Sequence, residues 1–143
     1  MTETKTNKSV NIYTDGASRG NPGDAAWSYL ILDVNEDLIT QQAGYIGHST
    51  NNQAEYFAVI RSLQRAVDIT EGEVHLHSDS QLLVKQVTGE WKVKDAELYR
   101  LYSRVRSLVE EFSNVRFSHV PRETELLSRA DQLCNDRLDE IQE

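Results

Sequence analysis

The stretch YTDGASRGNPGDAAW (Tyr13–Trp27) decides how this chain is read. The chain has seven glycines, and three of them, Gly16, Gly20 and Gly23, follow an aspartate that closes the apolar run VNIYT. Glycine marks backbone that must turn tightly or let another group come close. Asp15 therefore stands either at a plain turn or at the mouth of a site. The β-branched and aromatic residues of SVNIYTD (9–15) predict a strand, ended by the glycines. On the far side, AAWSYLILDV (25–34) and LITQQAGYIG (38–47) read as two more strands, joined by NED (35–37) as a hairpin.

Further along, TNNQAEYFAVIRSLQRAVDI (50–69) is a helix, with Tyr56, Val59, Ile60, Leu63, Ala66 and Val67 on one face. Thr50 and Gln53 have capping-box spacing. EVHLHSD (73–79) is a strand, and SQLLVKQVTG (80–89) a short helix stopped by Gly89. An amphipathic helix starts at Asp95, NVRFSHV (114–120) is a strand stopped by Pro121, and Ala130, Leu133, Cys134, Leu138 and Ile141 define a last helix. The order βββαβααβα predicts an α/β fold: an antiparallel meander, then strands separated by helices, in a mixed sheet with helices on its faces.

With 143 residues the chain is expected to form one domain, 1–143, with residues 1–8 as a frayed tail. No apolar run approaches the roughly 20 residues of a membrane helix, and the N-terminus carries no signal core. The single cysteine, Cys134, excludes an intrachain disulfide and suits a reducing, cytoplasmic location; at its helical position it reads as a small core hydrophobe. A net charge of −8 excludes a broad basic nucleic-acid footprint but not a local one. His75 and His77 alternate on one strand, lack metal-ligand partners in sequence and are expected to pack under a helix.

Asp15 and Asp79 each end a predicted strand, and ligands of α/β sheets gather at the carboxyl ends of parallel strands. If these two strands are adjacent and parallel, the two aspartates are neighbours. Glu55, in the first turn of its helix at the edge of the apolar stripe, can point to the same place, as can Asp131, at the start of the last helix. Each has a plainer explanation: a turn for Asp15, a helix cap for Asp79, a helix-dipole contact for Glu55, and an S-x-x-D box with Ser128 for Asp131. Together they fit one site, because four different elements supply them. Converging carboxylates repel one another. Oxygen-only ligands suit Mg²⁺ or Mn²⁺, and two such ions ~3.5–4 Å apart form a clamp for in-line attack on a phosphodiester.

YTDGASRGNPG, STNNQAEYFAVI and SDSQLLVKQVTGEWKVKDAELYRLY resemble the first three motif blocks of the ribonuclease HI family, in order and at its spacing. HVPRE followed by ADQLCNDRLDE resembles the fourth, so the likeness runs over residues 9–141. It implies a ribonuclease H-like fold with a five-stranded mixed sheet flanked by helices. It also implies metal-dependent hydrolysis of the RNA strand of RNA–DNA hybrids, leaving 5′-phosphate and 3′-hydroxyl ends. By position, the catalytic and metal-binding residues would be Asp15, Glu55, Asp79 and Asp131, holding two ions. The resemblance places Asn21, Thr50, Asn51 and Asn52 on the hybrid, where amides could read 2′-hydroxyls, although Asn21 is also a good turn former and Thr50 or Asn51 a good N-cap. The partner would be the hybrid alone, with no membrane, no obligatory protein partner and a monomeric chain.

Two features depart from the family. Many relatives carry a histidine in the loop before the last aspartate, and between Val120 and Asp131 there is none; Glu123 and Glu125 are the available ionisable substitutes. The segment TELLSR is also longer than in similar relatives, which leaves Asp136 as an alternative to Asp131. Second, some relatives insert a basic helix and loop where GEWKVKDAE runs directly onward. Trp91 there is expected to pack on the core, Tyr99 and Tyr102 to be half-buried, and hybrid binding to be weak and salt-sensitive. Rival functions are a hybrid-binding module without catalysis and another nuclease of the same superfamily.

Overall fold

A computed structural model describes residues 5–142. Five strands, β1 (Val10–Arg19), β2 (Gly23–Leu32), β3 (Leu38–Ser49), β4 (Glu73–Ser78) and β5 (Asn114–His119), form one open sheet in the order β3-β2-β1-β4-β5. β1, β2 and β3 pair antiparallel, whereas β1–β4 and β4–β5 are parallel. Four helices complete the chain: α1 (Asn51–Ala66), α2 (Gln81–Val87), α3 (Ala96–Val109) and α4 (Glu125–Gln142). The element order and mixed sheet are those the sequence predicts.

Alternation along the central strands explains the helices on both faces. Ile12, Tyr29 and Ile31 pack with Tyr56, Val59, Ile60 and Leu63 of α1 and with Leu98, Leu101 and Val105 of α3. Their neighbours Tyr13, Leu30 and Leu32 point the other way and pack on Leu127 and Ala130 of α4. A strand buried on both sides reads as a continuous apolar run, as YLIL does. Thr50 caps α1 as its spacing predicts, accepting from the Gln53 N–H at 3.1 Å while the Gln53 side chain accepts from the Thr50 N–H at 3.1 Å.

Several expectations are corrected. β1 does not stop at Asp15 but runs to Arg19, paired with β2 throughout, and the turn falls at Gly20–Asn21–Pro22. Residues 5–8 are not frayed: the Thr6 N–H donates to the Ile69 carbonyl at 3.1 Å and the Thr70 hydroxyl to the Lys8 carbonyl at 2.6 Å. The rest of the expected tail, residues 1–4, lies outside the described residues. Trp91 is 45% exposed rather than core, and Tyr99 is exposed where half-burial was expected. His75 and His77 each bond within the sheet. His77 stacks on Tyr13 at 4.3 Å with Nδ1 3.1 Å from the Ile12 carbonyl, and His75 Nε2 lies 2.7 Å from the Ser118 hydroxyl. Among the described residues no helix is long and apolar enough to cross a membrane.

Candidate active site

The site begins with register. β1 and β4 pair from Val10–Val74 to Tyr13–His77 and then separate. Asp15 and Asp79 both lie two residues past that last pair, at the same level of the sheet. Glu55 comes from the helix on the opposite face. It can do so because α1 touches β1 at Gly16, where a Cβ would lie 2.3 Å from the Ala54 carbonyl carbon. Gly16 thus answers the question its stretch raises: it provides close approach, not a turn.

One carboxylate oxygen from each of Asp15, Glu55 and Asp79 lies within 4.8 Å of the others. Asp15 and Glu55 are 2% and 3% exposed. Asp15 Oδ2, Glu55 Oε1 and Asp79 Oδ1 are buried and have no hydrogen-bond partner. Bare buried oxygens are costly, so three clustered carboxylates that each leave one bare mark a place built for a ligand that supplies positive charge. The Asp15 carboxyl is pushed up to about 8 by burial, then by Asp79 and Asp131, with Arg122 pulling the other way. Burial, then Asp15 and Asp79, hold the Glu55 carboxyl well above its usual range, while the Gly16 backbone opposes them.

The plainer explanations lose ground. Asp79 does not cap α2; Ser80 does, accepting from the Leu83 N–H at 3.2 Å. Glu55 is the fifth residue of α1, past the first turn where the helix dipole acts, and it is buried rather than at the edge.

Asp131 is placed differently from expectation. α4 starts at Glu125, so Asp131 lies in its second turn and Ser128 is inside the helix, donating to the Arg122 carbonyl at 3.2 Å rather than capping. Asp131 falls outside the three-oxygen group but acts on Asp15 from close by. Its position is fixed by Ser28, the cross-strand partner of Asp15, whose hydroxyl donates to the Ala130 carbonyl at 2.6 Å. Asp136 is exposed, accepts from Gln132 at 2.7 Å and is not among the clustered carboxylates. Beneath Asp15 the Cys134 thiol is buried, 3.5 Å from the Asp15 carbonyl, and burial followed by the Asp15 charge pushes its pKa up. A thiol so placed is inert packing, as its helical position predicts.

Among the residues expected on the substrate, Asn21 and Thr50 have structural duties. The Asn21 side chain accepts from the Asn51 N–H at 3.0 Å, tying the glycine loop to the start of α1. The side-chain amides of Asn51 and Asn52 bond to nothing among the described residues. Asn21, Thr50 and Asn52 line a surface cleft of about 240 Å³ together with Gln53, Asp95 and Leu98. Glu123 and Glu125 are exposed.

Sequence reasoning missed Arg122, whose Nε donates to Asp79 Oδ2 at 2.6 Å. Its signal was present in HVPRE, as a lone cation beside a block otherwise valued for its carboxylates.

The family described as "Reverse transcriptase-like" matches residues 13–136. Ribonuclease HI of Halobacterium salinarum is 43% identical over 131 residues, covering 92% of this chain and 65% of that protein. The crystal structure of RNase H1 from H. salinarum has a TM-score of 0.88 at 42% identity, covering 92% of this chain and 98% of that one. LC11-RNase H1 in complex with an RNA/DNA hybrid has a TM-score of 0.87 at 36% identity, covering 94% and 99%. The chain belongs to the ribonuclease H family. It spans 65% of the length of its halobacterial curated relative and 35% of mycobacterial ones.

Proposed function

We propose that this chain is a metal-dependent endonuclease that hydrolyses the RNA strand of RNA–DNA hybrids, leaving 5′-phosphate and 3′-hydroxyl ends. One observation carries the reading: Asp15, Glu55 and Asp79 bring one carboxylate oxygen each within 4.8 Å of the others, and each residue also has a buried oxygen without a hydrogen-bond partner. That donor set fits hard divalent cations, Mg²⁺ or Mn²⁺, two per site, held by the three residues with Asp131 alongside. When bound, such ions supply activation of water and stabilisation of the leaving oxygen.

The chain's own residues do the rest. Asp15, Glu55 and Asp79 are held on rigid elements and lose little freedom when their charges are neutralised. Asp131 supports the same place from the other face of the sheet. The free amides of Asn51 and Asn52, beside Asn21 and Thr50, can both donate to and accept from 2′-hydroxyls, which is what separates an RNA strand from DNA. With a charge of −8 and few local cations, binding of the hybrid is weak and falls steeply with salt. In this reading the enzyme acts as a monomer in the cytoplasm, where the unpaired Cys134 stays reduced.

Purified chain incubated with end-labelled hybrid, single-stranded RNA and duplex DNA, in Mg²⁺, Mn²⁺ or chelator, tests the proposal. Cutting confined to the RNA of the hybrid and lost in chelator supports it. Equal cutting of all three, or full activity in excess chelator, overturns it. Hybrid retention without any cleavage in either metal would make the chain a binding module instead.

A further inference from the structure

Arg122 reaches the carboxylate cluster from the loop between β5 and α4. That loop is anchored beside its target, because the Val120 N–H donates to the carbonyl of Ser78, the residue before Asp79, at 2.9 Å. Ser128 holds the Arg122 carbonyl from α4, and the Thr124 N–H closes on the Pro121 carbonyl at 3.2 Å. The guanidinium is therefore presented by fixed backbone, although its side chain is 57% exposed. Among the described residues no other cationic side chain bonds to Asp15, Glu55 or Asp79. The fields of Asp79, Asp15 and Asp131 all fall on it.

We propose that Arg122 is a resident counter-cation of the cluster: it stands on Asp79 while no divalent cation is bound, and its charge opposes the entry of one. This rests on the reading of the cluster as a metal site. Carboxylates gathered in a buried space repel one another, and a positive charge at the rim eases that repulsion when the site is not loaded. Arg122 supplies it from the rim, taking Asp79 Oδ2 and leaving the three inward oxygens bare. Asp15, Glu55 and Asp79 would hold a divalent cation with a like charge already bonded to one of them. Affinity for the cation alone is thereby kept low. A phosphate of the hybrid changes the balance, since it offers the exposed guanidinium a second anionic partner and adds negative charge next to the cluster. Cation and hybrid then load together rather than in sequence.

Two measurements on the intact chain test this. In the first, metal-free protein is titrated with Mn²⁺ at constant low ionic strength, and free Mn²⁺ is followed by its paramagnetic resonance. Arg122→Gln removes the charge and should bind Mn²⁺ at least about fivefold more tightly than the wild type, whereas Arg122→Lys keeps the charge and should stay within about twofold. In the second, thermal melting in chelator is recorded for Arg122→Gln, Asp79→Asn and the double variant. Arg122→Gln should lower the melting temperature of the wild type and should not lower it in the Asp79→Asn background. Unchanged or weaker Mn²⁺ binding by Arg122→Gln overturns the proposal, as does an equal melting loss in both backgrounds. If the wild type binds Mn²⁺ no better than Asp15→Asn, the metal-site reading falls and the opposition to cation entry with it. The melting cycle then reports separately whether Arg122 steadies the bare cluster.

Discussion

Replacing Asp15 by asparagine should stabilise the metal-free protein while removing its activity. Burial, then the charges of Asp79 and Asp131, push the carboxyl of Asp15 from its ordinary 3.8 up to about 8. Its pKa is higher folded than unfolded, so the folded state holds the proton more tightly. Its contribution to stability is then complete below pH 3.8 and is lost as the pH rises through about 8. Each pH unit between those values costs the fold about 1.4 kcal/mol, so at pH 7.5 the loss has a ceiling of about 5 kcal/mol. The cluster can relax around Arg122, and about 3 kcal/mol is the expected net effect. Asparagine keeps the shape without the charge and escapes the loss. In chelator at pH 7.5, Asp15→Asn should melt roughly 10 °C above the wild type, with the gap closing towards pH 4. Added Mg²⁺ should raise the wild type and leave the variant where it was. Differential scanning calorimetry across that pH range decides the matter. A destabilised Asp15→Asn, or a gap that ignores pH, would show that the carboxylate serves the fold and refute the electrostatic reasoning.

Asp131→Asn should lower hybrid cleavage by at least about tenfold, ~1.4 kcal/mol of transition-state stabilisation, while Asp136→Asn stays near wild type in a parallel turnover assay. Ser128→Ala, which caps nothing, should change stability by less than about 1 kcal/mol, as read from urea unfolding. Gly16→Ala should cost about 3 kcal/mol or more by the same method, since its methyl meets the backbone of α1 rather than a side chain that can swing away. A Gly16→Ala protein of normal stability would mean that α1 is not held where Glu55 needs it.

The sheet and its helices were legible because periodicity changes cleanly along the chain, from VNIYT to AEYFAVI and back to VHLH. The boundaries were less so. Asp15-Gly16 looks like a turn, yet the strand continues, because β2 supplies partners as far as Arg19 and no local propensity records that pairing. Asp15, Glu55 and Asp79 could be drawn together from their places at element ends. The burial of Glu55 could not, since it depends on α1 meeting β1 at a glycine remote in sequence. Asp131 was placed a turn too early in α4 because SRAD carries capping spacing, and only the docking of Ala130 on Ser28 fixes the helix. Arg122 stayed hidden because an arginine in an exposed loop has no periodicity to betray what it touches.

The sheet's two faces are covered unequally. α1 buries nine residues, among them Tyr56, Ile60 and Leu63, and has α3 behind it. α4 buries Leu127, Ala130, Cys134 and Leu138 of its 18 residues and has no second helix behind it among the described residues. Opening of α4 therefore costs less than unfolding the whole, and it carries away Asp131 and slackens the loop that presents Arg122. On heating, cleavage should stop while the meander and α1 are still intact, which would put the working temperature below the melting temperature. Cys134, shut under Asp15 until that moment, is the atom at which a thiol reagent would register the loss.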